Sequence, residues 1–256
     1  MSKLIFFDLD DTLTVSKSDL TAEMAGLMGE LLEHTKVVVV SGGALPQFLK
    51  QVVTQLPKEA NLANLYLEPT SGAALYEYRD NDWQKVYTEH IPEAEVPAIE
   101  AAAREGALAT GLIDFGASSW GERIEYRGSQ VTLSALGQKA PPGEKARWDP
   151  DKVKRLLIRA EIQKRLPRGY SAAMGGATSI DITRVGINKA YGIRQLCKRL
   201  TISENEALYV GDQLVAGGND EAAFDTDIKT RSVASPADTA AFIRELLKAQ
   251  PLPVLS

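Results

Sequence analysis

The stretch Leu4–Thr14, "LIFFDLDDTLT", places three carboxylates directly behind four apolar residues. A short apolar run of this kind is typical of a buried strand in a parallel sheet, so Leu4–Phe7 is predicted to be such a strand. Asp8, Asp10 and Asp11 then lie at its carboxyl end, where clustered carboxylates repel one another and lose water. A bound cation would offset both costs, and this loop is therefore the first candidate site.

The composition narrows the class of protein. The chain has 256 residues, of which 44% are hydrophobic and 25% charged, as in an ordinary globular protein. Its net charge of −5 argues against a nucleic-acid partner, because such proteins usually carry a basic surplus. No apolar run reaches the length of a membrane span, and no signal peptide is recognisable. The single cysteine, Cys197, precludes an internal disulfide and suits a reducing compartment, so a cytoplasmic location is predicted.

Further segments extend the pattern of an α/β protein. Lys36–Val40 and Ala207–Val210 are predicted to be buried strands, because both are short and rich in β-branched or apolar residues. Helices are predicted over Ser18–Glu33, Ala44–Val53 and Asn188–Arg199. Strands that alternate with helices indicate an open parallel sheet, in which ligands bind beyond the carboxyl ends of the strands.

The middle of the chain has a different pattern. Four segments alternate in the manner of half-exposed antiparallel strands: "ERIEYRG" (122–128), "QVTLSALG" (130–137), "YSAAMGG" (170–176) and "TSIDITR" (178–184). Helices are predicted at about Glu93–Glu105 and Asp149–Arg165. The sequence thus predicts an α+β domain at 88–185, inserted into a discontinuous core domain of residues 1–87 and 186–256. The last residues, "AQPLPVLS", are predicted to be a loose end.

Asp8 and Asp10 have the spacing of a reacting pair. Two residues apart on an extended segment, they are predicted to lie on the same side of it. One carboxylate can attack phosphorus and form an aspartyl-phosphate, while the other protonates the leaving oxygen and then activates the next acceptor. Asp8 is therefore predicted to be the nucleophile and Asp10 the acid/base group. The alternative is a strand that ends in a turn capped by Asp10 or Asp11.

Two other loops carry groups that suit a phosphate. Ser41 and Gly42 follow the second strand, where a hydroxyl and exposed backbone N–H groups can bind phosphoryl oxygens. Lys189 opens a helix and can neutralise those oxygens. Each feature is weak alone, because glycine-rich turns and surface lysines are common.

A fourth loop, "GDQLVAGGND" (211–220), suits a cation. Asp212 would complete an oxygen site for Mg²⁺ together with Asp8 and the backbone carbonyl of Asp10. Asn219 and Asp220 would support that site from behind. Without histidine or thiolate partners, a hard cation is favoured over zinc.

The order of these motifs, strand-DxDxT, strand-Ser, Lys and strand-GD-loop-GND, resembles the haloacid dehalogenase (HAD) superfamily of phosphotransferases. The insertion between Ser41 and Lys189 matches subfamily IIB, whose members carry a large α+β cap. Moreover "DLDDTLT", "EYRGSQVTLSALG", "GGATSIDI" and "GDQLVAGGND" are similar to the eukaryote-type phosphomannomutases over almost the whole chain. The resemblance implies an α/β fold with a Rossmann-like core and a cap for substrate specificity.

The resemblance also implies a phosphosugar substrate and a homodimer formed through the cap. Arg127 matches a phosphate-binding arginine of the family. Ser179 and Asp181 match residues that contact the sugar and its phosphate. Lys17 and Lys145 stand in phosphate-binding positions where arginines are expected.

Lysine keeps the charge at such a position but loses the bidentate fork. Two further positions depart from the family: Gln138 stands where another arginine is expected, and Asp11 where glycine is usual. Because a mutase must hold a bisphosphate while it turns end for end, the thinner set of phosphate ligands favours a phosphosugar phosphatase. The alternative is a phosphomannomutase or phosphohexomutase that interconverts hexose 1- and 6-phosphates. A third hypothesis, a non-catalytic phosphosugar-binding protein, leaves the paired carboxylates without a purpose.

Overall fold

The protein is described here from a computed structural model, over residues 2–249. The tail predicted to be loose lies outside the described residues, apart from Ala249. The described residues divide into two compact units. One unit contains the residues up to Tyr87 with 189–216 and those from Asp220 onward, and the other contains 88–188 with 217–219. We call them the core unit and the cap unit.

Secondary structure covers most of both units. The strands are β1 (Leu4–Asp8), β2 (Lys36–Val40), β3 (Leu65–Glu68), β4 (Ala74–Arg79), β5 (Asp82–Thr88), β6 (Ile124–Tyr126), β7 (Val131–Ser134), β8 (Tyr170–Met174), β9 (Ser179–Arg184), β10 (Ala207–Gly211) and β11 (Lys229–Ser232). The α-helices are α1 (Ala22–Leu32), α2 (Leu45–Gln51), α3 (Val96–Ala109), α4 (Pro142–Trp148), α5 (Val153–Gln163), α6 (Lys189–Leu200) and α7 (Pro236–Lys248).

The core unit is built on a seven-stranded sheet in the order β11-β10-β1-β2-β3-β4-β5. Neighbours from β11 to β3 pair in parallel, whereas β4 runs antiparallel to β3. β1 lies between β2 and β10, with Leu4 opposite both Lys36 and Ala207. β10, which comes late in the chain, is thus a direct neighbour of β1, and this brings the loops after β1, β2 and β10 to the same edge.

The first four residues of β1 are apolar because both faces of the strand are buried. Ile5 and Phe7 belong to the apolar core that includes residues of α1, α2 and α7. Leu4 and Phe6 belong to a second core that includes residues of α6. This arrangement of a parallel sheet between helices confirms the predicted α/β class.

The predicted first helix begins too early. Ser18 lies before the helix, and α1 starts at Ala22 because Thr21 is its N-cap, accepting a hydrogen bond from the Met24 N–H at 3.2 Å. Such a side-chain cap ends the non-helical segment and satisfies an otherwise unpaired donor. The predicted helices over 44–53, 93–105 and 188–199 differ from α2, α3 and α6 by a few residues at their ends.

The predicted helix over Asp149–Arg165 also begins too early. Asp149 lies outside any helix, and its carboxylate accepts hydrogen bonds from the Lys154 and Arg155 N–H groups at 2.9 and 3.2 Å. These bonds satisfy donors in the first turn of α5. The segment before Asp149 forms α4, which was not predicted from the sequence.

The cap unit contains a four-stranded antiparallel sheet in the order β6-β7-β9-β8. Its apolar face packs on α3 and α5 and includes Leu133, Ile180 and Ile182. The opposite face is polar, because the register places Thr132 opposite Asp181 and Ser134 opposite Ser179. Two sheet faces of opposite character are typical of an antiparallel sheet. None of the helices within residues 2–249 has both the length and the apolar character needed to cross a membrane.

Candidate active site

Asp8 is the last residue of β1, and its carboxylate is buried at the carboxyl edge of the parallel sheet. Its Oδ1 accepts a hydrogen bond from the Lys189 Nζ at 2.5 Å. Its Oδ2 is buried and has no hydrogen-bond partner among the described residues. Burial raises the pKa of Asp8 above its ordinary value, and the Lys189 ammonium opposes this effect.

Lys189, the first residue of α6, is buried between two carboxylates. Its Nζ lies 2.5 Å from Asp8 Oδ1 and 2.6 Å from Asp220 Oδ1. Burial alone would lower the pKa of Lys189, but the carboxylates of Asp220 and Asp8 outweigh it and raise the pKa. The amine is therefore a permanent ammonium that fixes one oxygen of Asp8 and leaves the other free to react or to bind.

Asp220 is fully buried and holds Lys189 from the other side. Besides the ammonium, its Oδ1 accepts the Tyr209 hydroxyl at 2.6 Å, and its Oδ2 accepts the Gln213 N–H at 3.0 Å. Burial and the Asp220 charge raise the pKa of Tyr209, so this hydroxyl stays protonated and donates. A side chain at Gly211 would collide with Asp220, which explains glycine at the end of β10.

Asp212 follows β10 and is half-buried. Its Oδ1 accepts the Thr12 hydroxyl at 3.3 Å, and that hydroxyl in turn accepts the Asp212 N–H at 3.0 Å. Its Oδ2 accepts the Gln213 side-chain amide at 2.8 Å. Burial raises the pKa of Asp212. These contacts orient the carboxylate without blocking all of its lone pairs.

Asp8, Asp212 and Asp220 form an acidic trio that could hold a metal ion, since one ligand atom from each lies within 4.8 Å of the others. Three carboxylates against the single Lys189 ammonium leave an excess of two negative charges. A divalent cation would balance that excess, and the unpartnered Asp8 Oδ2 is an oxygen to which it could bind. Because Asp220 already accepts three hydrogen bonds, Asp8 and Asp212 are the better ligands.

Asp10 lies in the loop beyond β1, with its carboxylate held by backbone and side-chain donors. Its Oδ1 accepts the Lys17 N–H at 2.7 Å, and its Oδ2 lies 3.4 Å from the Ser41 hydroxyl. The Ser41 hydroxyl also accepts the Gly43 N–H at 3.3 Å, in the loop that contains Gly42. The structure therefore brings the predicted acid/base group and the predicted phosphate loop together. Lys17 contributes its backbone here and is itself exposed.

Asp11 occupies a left-handed backbone conformation, with φ of 61°. Its Oδ1 accepts the Ser16 N–H at 3.1 Å, and its own N–H donates to the Thr14 carbonyl at 2.7 Å. Glycine adopts this conformation at lower cost, whereas a short polar side chain tolerates it by bonding locally. The departure from glycine predicted from the sequence is thus accommodated, and Asp11 caps a turn rather than the start of a helix.

In the cap unit, the Arg127 guanidinium forms contacts with the side chains of Glu125 and Gln138. Its guanidinium contacts Glu125 Oε2 at 2.6 to 2.8 Å and donates to Gln138 Oε1 at 3.0 Å. Glu125 and Arg127 therefore share a face, as their alternation along the strand predicts. Gln138, which stands where an arginine was expected, is an acceptor for Arg127 rather than a second cation.

Ser179 and Asp181 lie on the polar face of the cap sheet. The Thr132 hydroxyl donates to Asp181 Oδ1 at 2.8 Å, and the register places Glu125 opposite the same threonine. Glu125, Thr132 and Asp181 thus form a row across β6, β7 and β9. Lys145 lies in α4 and is buried.

Several residues of the site were not predicted. Tyr209 reads as one more apolar residue of a buried strand, and nothing in the sequence indicates that its hydroxyl meets a carboxylate. Gln213 supports both Asp212 and Asp220. Thr12 stands inside the DxDxT motif, whose spacing was a usable signal. Asn219, expected to support the metal site, has a buried Oδ1 with no hydrogen-bond partner among the described residues.

The fold of the whole chain has close counterparts among solved structures. An IMP-bound IMP-nucleotidase of Plasmodium falciparum superposes with a TM-score of 0.69 at 18% identity, covering 96% of this chain and 68% of its own. A haloacid dehalogenase-like hydrolase from Bacteroides thetaiotaomicron gives a TM-score of 0.62 at 14% identity, covering 96% of this chain and 100% of its own. At these identities the likeness shows the fold alone.

Sequence relatives are more specific. The chain is 25% identical to a phosphomannomutase of Oryza sativa subsp. indica over 260 residues, covering 95% of each chain. It is 24% identical to a phosphomannomutase of Saccharomyces cerevisiae, covering 95% of this chain and 93% of that one. The family model "Eukaryotic phosphomannomutase" matches residues 24–249.

Fold, motif order and relatives together define an enzyme of the HAD superfamily, a phosphotransferase with an inserted α+β cap. Within that superfamily the chain belongs to the eukaryotic phosphomannomutase family. The predicted superfamily and the predicted resemblance are both confirmed.

Proposed function

We propose that the protein is a hexose-phosphate mutase that interconverts a hexose 1-phosphate and a hexose 6-phosphate. The single observation that carries this proposal is the Asp8 carboxylate, with one oxygen on an ammonium and the other buried without a partner, in a chain of the phosphomannomutase family. The sequence alone favoured a phosphatase. The relatives support the mutase alternative better, because the two described above are phosphomannomutases that match this chain over almost their whole length.

The proposed reaction begins at Asp8 Oδ2, which attacks one phosphorus atom of a hexose bisphosphate while Lys189 keeps Oδ1 in place. The bond from that phosphorus to the sugar oxygen breaks, Asp10 supplies the proton to the leaving oxygen, and a hexose monophosphate and phospho-Asp8 result. In the second half, Asp10 takes a proton from the accepting hydroxyl of the other hexose monophosphate, and that oxygen takes the phosphoryl group from Asp8 and forms the bisphosphate again. Ser41 and the N–H groups of its loop bind the phosphoryl oxygens.

Magnesium is the proposed cofactor, with Asp8 and Asp212 as its side-chain ligands. When bound, it would draw charge from the phosphoryl oxygens and reduce their repulsion of the Asp8 carboxylate. The excess of negative charge around Lys189 supports this assignment. Asp220 keeps a supporting role, since its oxygens are already used by Lys189, Tyr209 and Gln213.

In the cap unit, Arg127, Ser179 and Asp181 are proposed to bind the sugar and its non-reacting phosphate. Arg127 is the strongest candidate, because a guanidinium forms bidentate bonds with phosphate. Lys145 and Lys17 are proposed to add positive charge. The polar face of the cap sheet, which carries Ser179 and Asp181, suits the hydroxyls of a sugar.

A phosphosugar phosphatase is the second candidate, and a specific observation favours it. Gln138 and Glu125 occupy the guanidinium of Arg127, so this part of the cap offers less free positive charge than three arginines would. A thin phosphate site suits a single transfer to water better than a bisphosphate that must reorient. The product distribution separates the two functions.

The test supplies mannose 1-phosphate or glucose 1-phosphate with Mg²⁺, with and without the matching hexose bisphosphate. Hexose 6-phosphate is followed by a coupled dehydrogenase and inorganic phosphate by a colorimetric assay. A mutase accumulates hexose 6-phosphate and is stimulated by bisphosphate. Free phosphate without hexose 6-phosphate would replace the mutase by the phosphatase, and neither product would reject both.

A further inference from the structure

Arg155 and Asp149 form a buried ion pair in the cap unit, and neither residue was predicted from the sequence to bind substrate. Their side chains are 7% and 0% exposed, and Arg155 Nε lies 2.7 Å from Asp149 Oδ2. Asp149 also accepts the N–H groups of Lys154 and Arg155 at the start of α5. Both carboxylate oxygens are therefore occupied, and one end of Arg155 is fixed.

The other end of Arg155 reaches the turn between β8 and β9. Its Nη1 donates to the Gly176 carbonyl at 2.6 Å and lies 3.5 Å from the Gly175 carbonyl. That turn is closed by two backbone bonds, from Gly175 N–H to the Ser179 carbonyl at 2.9 Å and from Ser179 N–H to the Gly176 carbonyl at 3.1 Å. Arg155 thus holds the turn that leads directly into Ser179.

The same turn lies against Asp181. A Cβ placed on Gly175 would be 2.8 Å from Asp181 Oδ2 and 3.1 Å from Ser179 Cβ. No side chain fits there without displacing one of them, so the backbone of Gly175 is a wall of the Asp181 position. Because the Ser179 N–H and carbonyl both bond to this turn, a shift of the turn would move Ser179 with it.

We infer that Arg155, anchored by Asp149, is a positioning residue that sets Ser179 and Asp181 for sugar recognition. This inference rests on the proposed function, in which these two residues contact the sugar phosphate. A buried ion pair is weak as a source of stability, because desolvation offsets much of its attraction, whereas its geometry is specific. The planar guanidinium spans a carboxylate and a carbonyl at once, which a lysine ammonium cannot do in the same fixed plane.

The test compares Arg155→Lys with Arg159→Lys, an exposed arginine on the same helix. Arg155→Lys is expected to raise KM for a hexose phosphate about tenfold, with kcat and the KM for p-nitrophenyl phosphate little changed. Arg159→Lys is expected to leave kcat and both KM values unchanged. A double variant, Asp149→Asn with Arg155→Met, removes both buried charges together. It therefore avoids the loss of stability that an unpaired buried charge would cause. It should show the same selective rise in KM even where its melting temperature matches the wild type.

Reference variants separate failure of the inference from failure of the proposed function. Ser179→Ala and Arg127→Ala should raise KM for the hexose phosphate selectively if the cap binds the sugar. If they do so while Arg155→Lys and the double variant do not, the positioning role is overturned and the proposed function stands. If the two reference variants have no selective effect, the cap assignment is wrong and the inference falls with it. Equal losses on both substrates in the Arg155 variants would also overturn it, because they indicate a general structural role.

Discussion

Lys189 in the core unit and Arg155 in the cap unit are both buried cations held by aspartates, but their surroundings differ in charge. Lys189 lies between Asp8 and Asp220, and with Asp212 nearby the carboxylates outnumber it. Arg155 has one carboxylate, Asp149, and its Nη1 donates to a backbone carbonyl. The first site has excess negative charge and an unpartnered oxygen, whereas the second is balanced.

The difference explains which of the two can take part in chemistry. An ammonium is a compact charge with rotatable donors, so in the proposed reaction Lys189 would follow the charge as it moves from Asp8 to a phosphoryl group. A guanidinium has a rigid fork, so Arg155 holds backbone in place. The excess negative charge around Lys189 favours the binding of a cation. The balanced pair of Arg155 and Asp149 has no such excess. We expect perturbations of the two to differ accordingly.

The largest expected effect comes from Asp8→Asn. Removal of the proposed nucleophile should lower kcat by at least about 10⁴-fold while the fold is kept. Beryllium fluoride, a phosphate mimic, should form its adduct on Asp8 in the wild type and none in the variant, as seen by mass spectrometry or crystallography. Full activity in Asp8→Asn, or an adduct on another residue, rules this role out. Asp19→Asn, at an exposed aspartate, is the matched control.

Lys189→Met tests the charge imbalance directly. Loss of the ammonium leaves two buried carboxylates unpaired, which should lower the free energy of unfolding by about 3–5 kcal/mol in the absence of divalent ions. Added Mg²⁺ should recover part of that loss, because the unpaired carboxylates line the acidic trio. Arg155→Met should also be destabilised, but without recovery by Mg²⁺. Urea denaturation with and without Mg²⁺ measures the stability of both variants. If Mg²⁺ stabilised the two variants equally, the proposed difference in charge between the two sites would be contradicted.

Magnesium binding itself should stabilise the wild type. At about 100 times its dissociation constant, an ion that binds only the folded state adds about 2.7 kcal/mol to the free energy of unfolding. Asp212→Asn should abolish most of that gain, and activity should vanish with a chelator and return with Mg²⁺. Asp149→Asn should retain the gain, since the balanced pair offers no cation site. Thermal melts over a Mg²⁺ titration provide the measurement, and a gain that survives in Asp212→Asn would contradict the proposed ligand.

The smallest expected effect concerns Glu68, the last residue of β3, whose carboxylate has neither a salt bridge nor a hydrogen bond within residues 2–249. Both of its carboxylate oxygens are buried without partners in the described part of the chain. Burial raises the pKa of Glu68 well above 4.5, so the folded state retains a proton that the unfolded state releases. The contribution of Glu68 to the free energy of unfolding is therefore full below about pH 4.5. It falls as the pH rises toward the pKa of the folded state.

Glu68→Gln should remove this dependence of stability on pH. Its melting temperature relative to the wild type should increase by a few degrees between pH 5 and pH 8. Glu59→Gln, at an exposed glutamate, should show no such trend. Parallel melting curves for the wild type and Glu68→Gln across this range would show that the carboxyl is already ionised in the folded state.

Much of the core site could be predicted from the sequence because parallel strands bring their carboxyl ends to one edge. Asp8 ends β1, while Ser41 and Asp212 directly follow β2 and β10. Adjacency of these strands in the sheet makes the three residues neighbours despite their separation along the chain. Lys189 was predicted from its place in the motif order. The fold class followed from the same strand and helix alternation.

Residues whose role depends on one hydroxyl or one backbone carbonyl could not be predicted. Tyr209 has the pattern of a core residue, and Arg155 has the pattern of a solvated helix position. Five elements of the core unit were also missed: β3, β4, β5, β11 and α7. β11 is exposed along its whole length, so it has no apolar alternation to detect. Gln138 was expected to weaken a phosphate site by losing charge, but its contact with Arg127 depends on the folded cap.

The position of β1 between β2 and β10 has a consequence for how the chain folds during synthesis. The cap sheet is formed from one continuous stretch, whereas Leu4 must wait for its partner Ala207. At about 5–20 residues per second, roughly 10–40 s pass between the synthesis of these two residues. During that interval one edge of this apolar strand has no partner, and such an edge favours pairing with another chain. A nascent chain is thus most vulnerable to aggregation before β10 emerges, at a stage when the cap can already be folded.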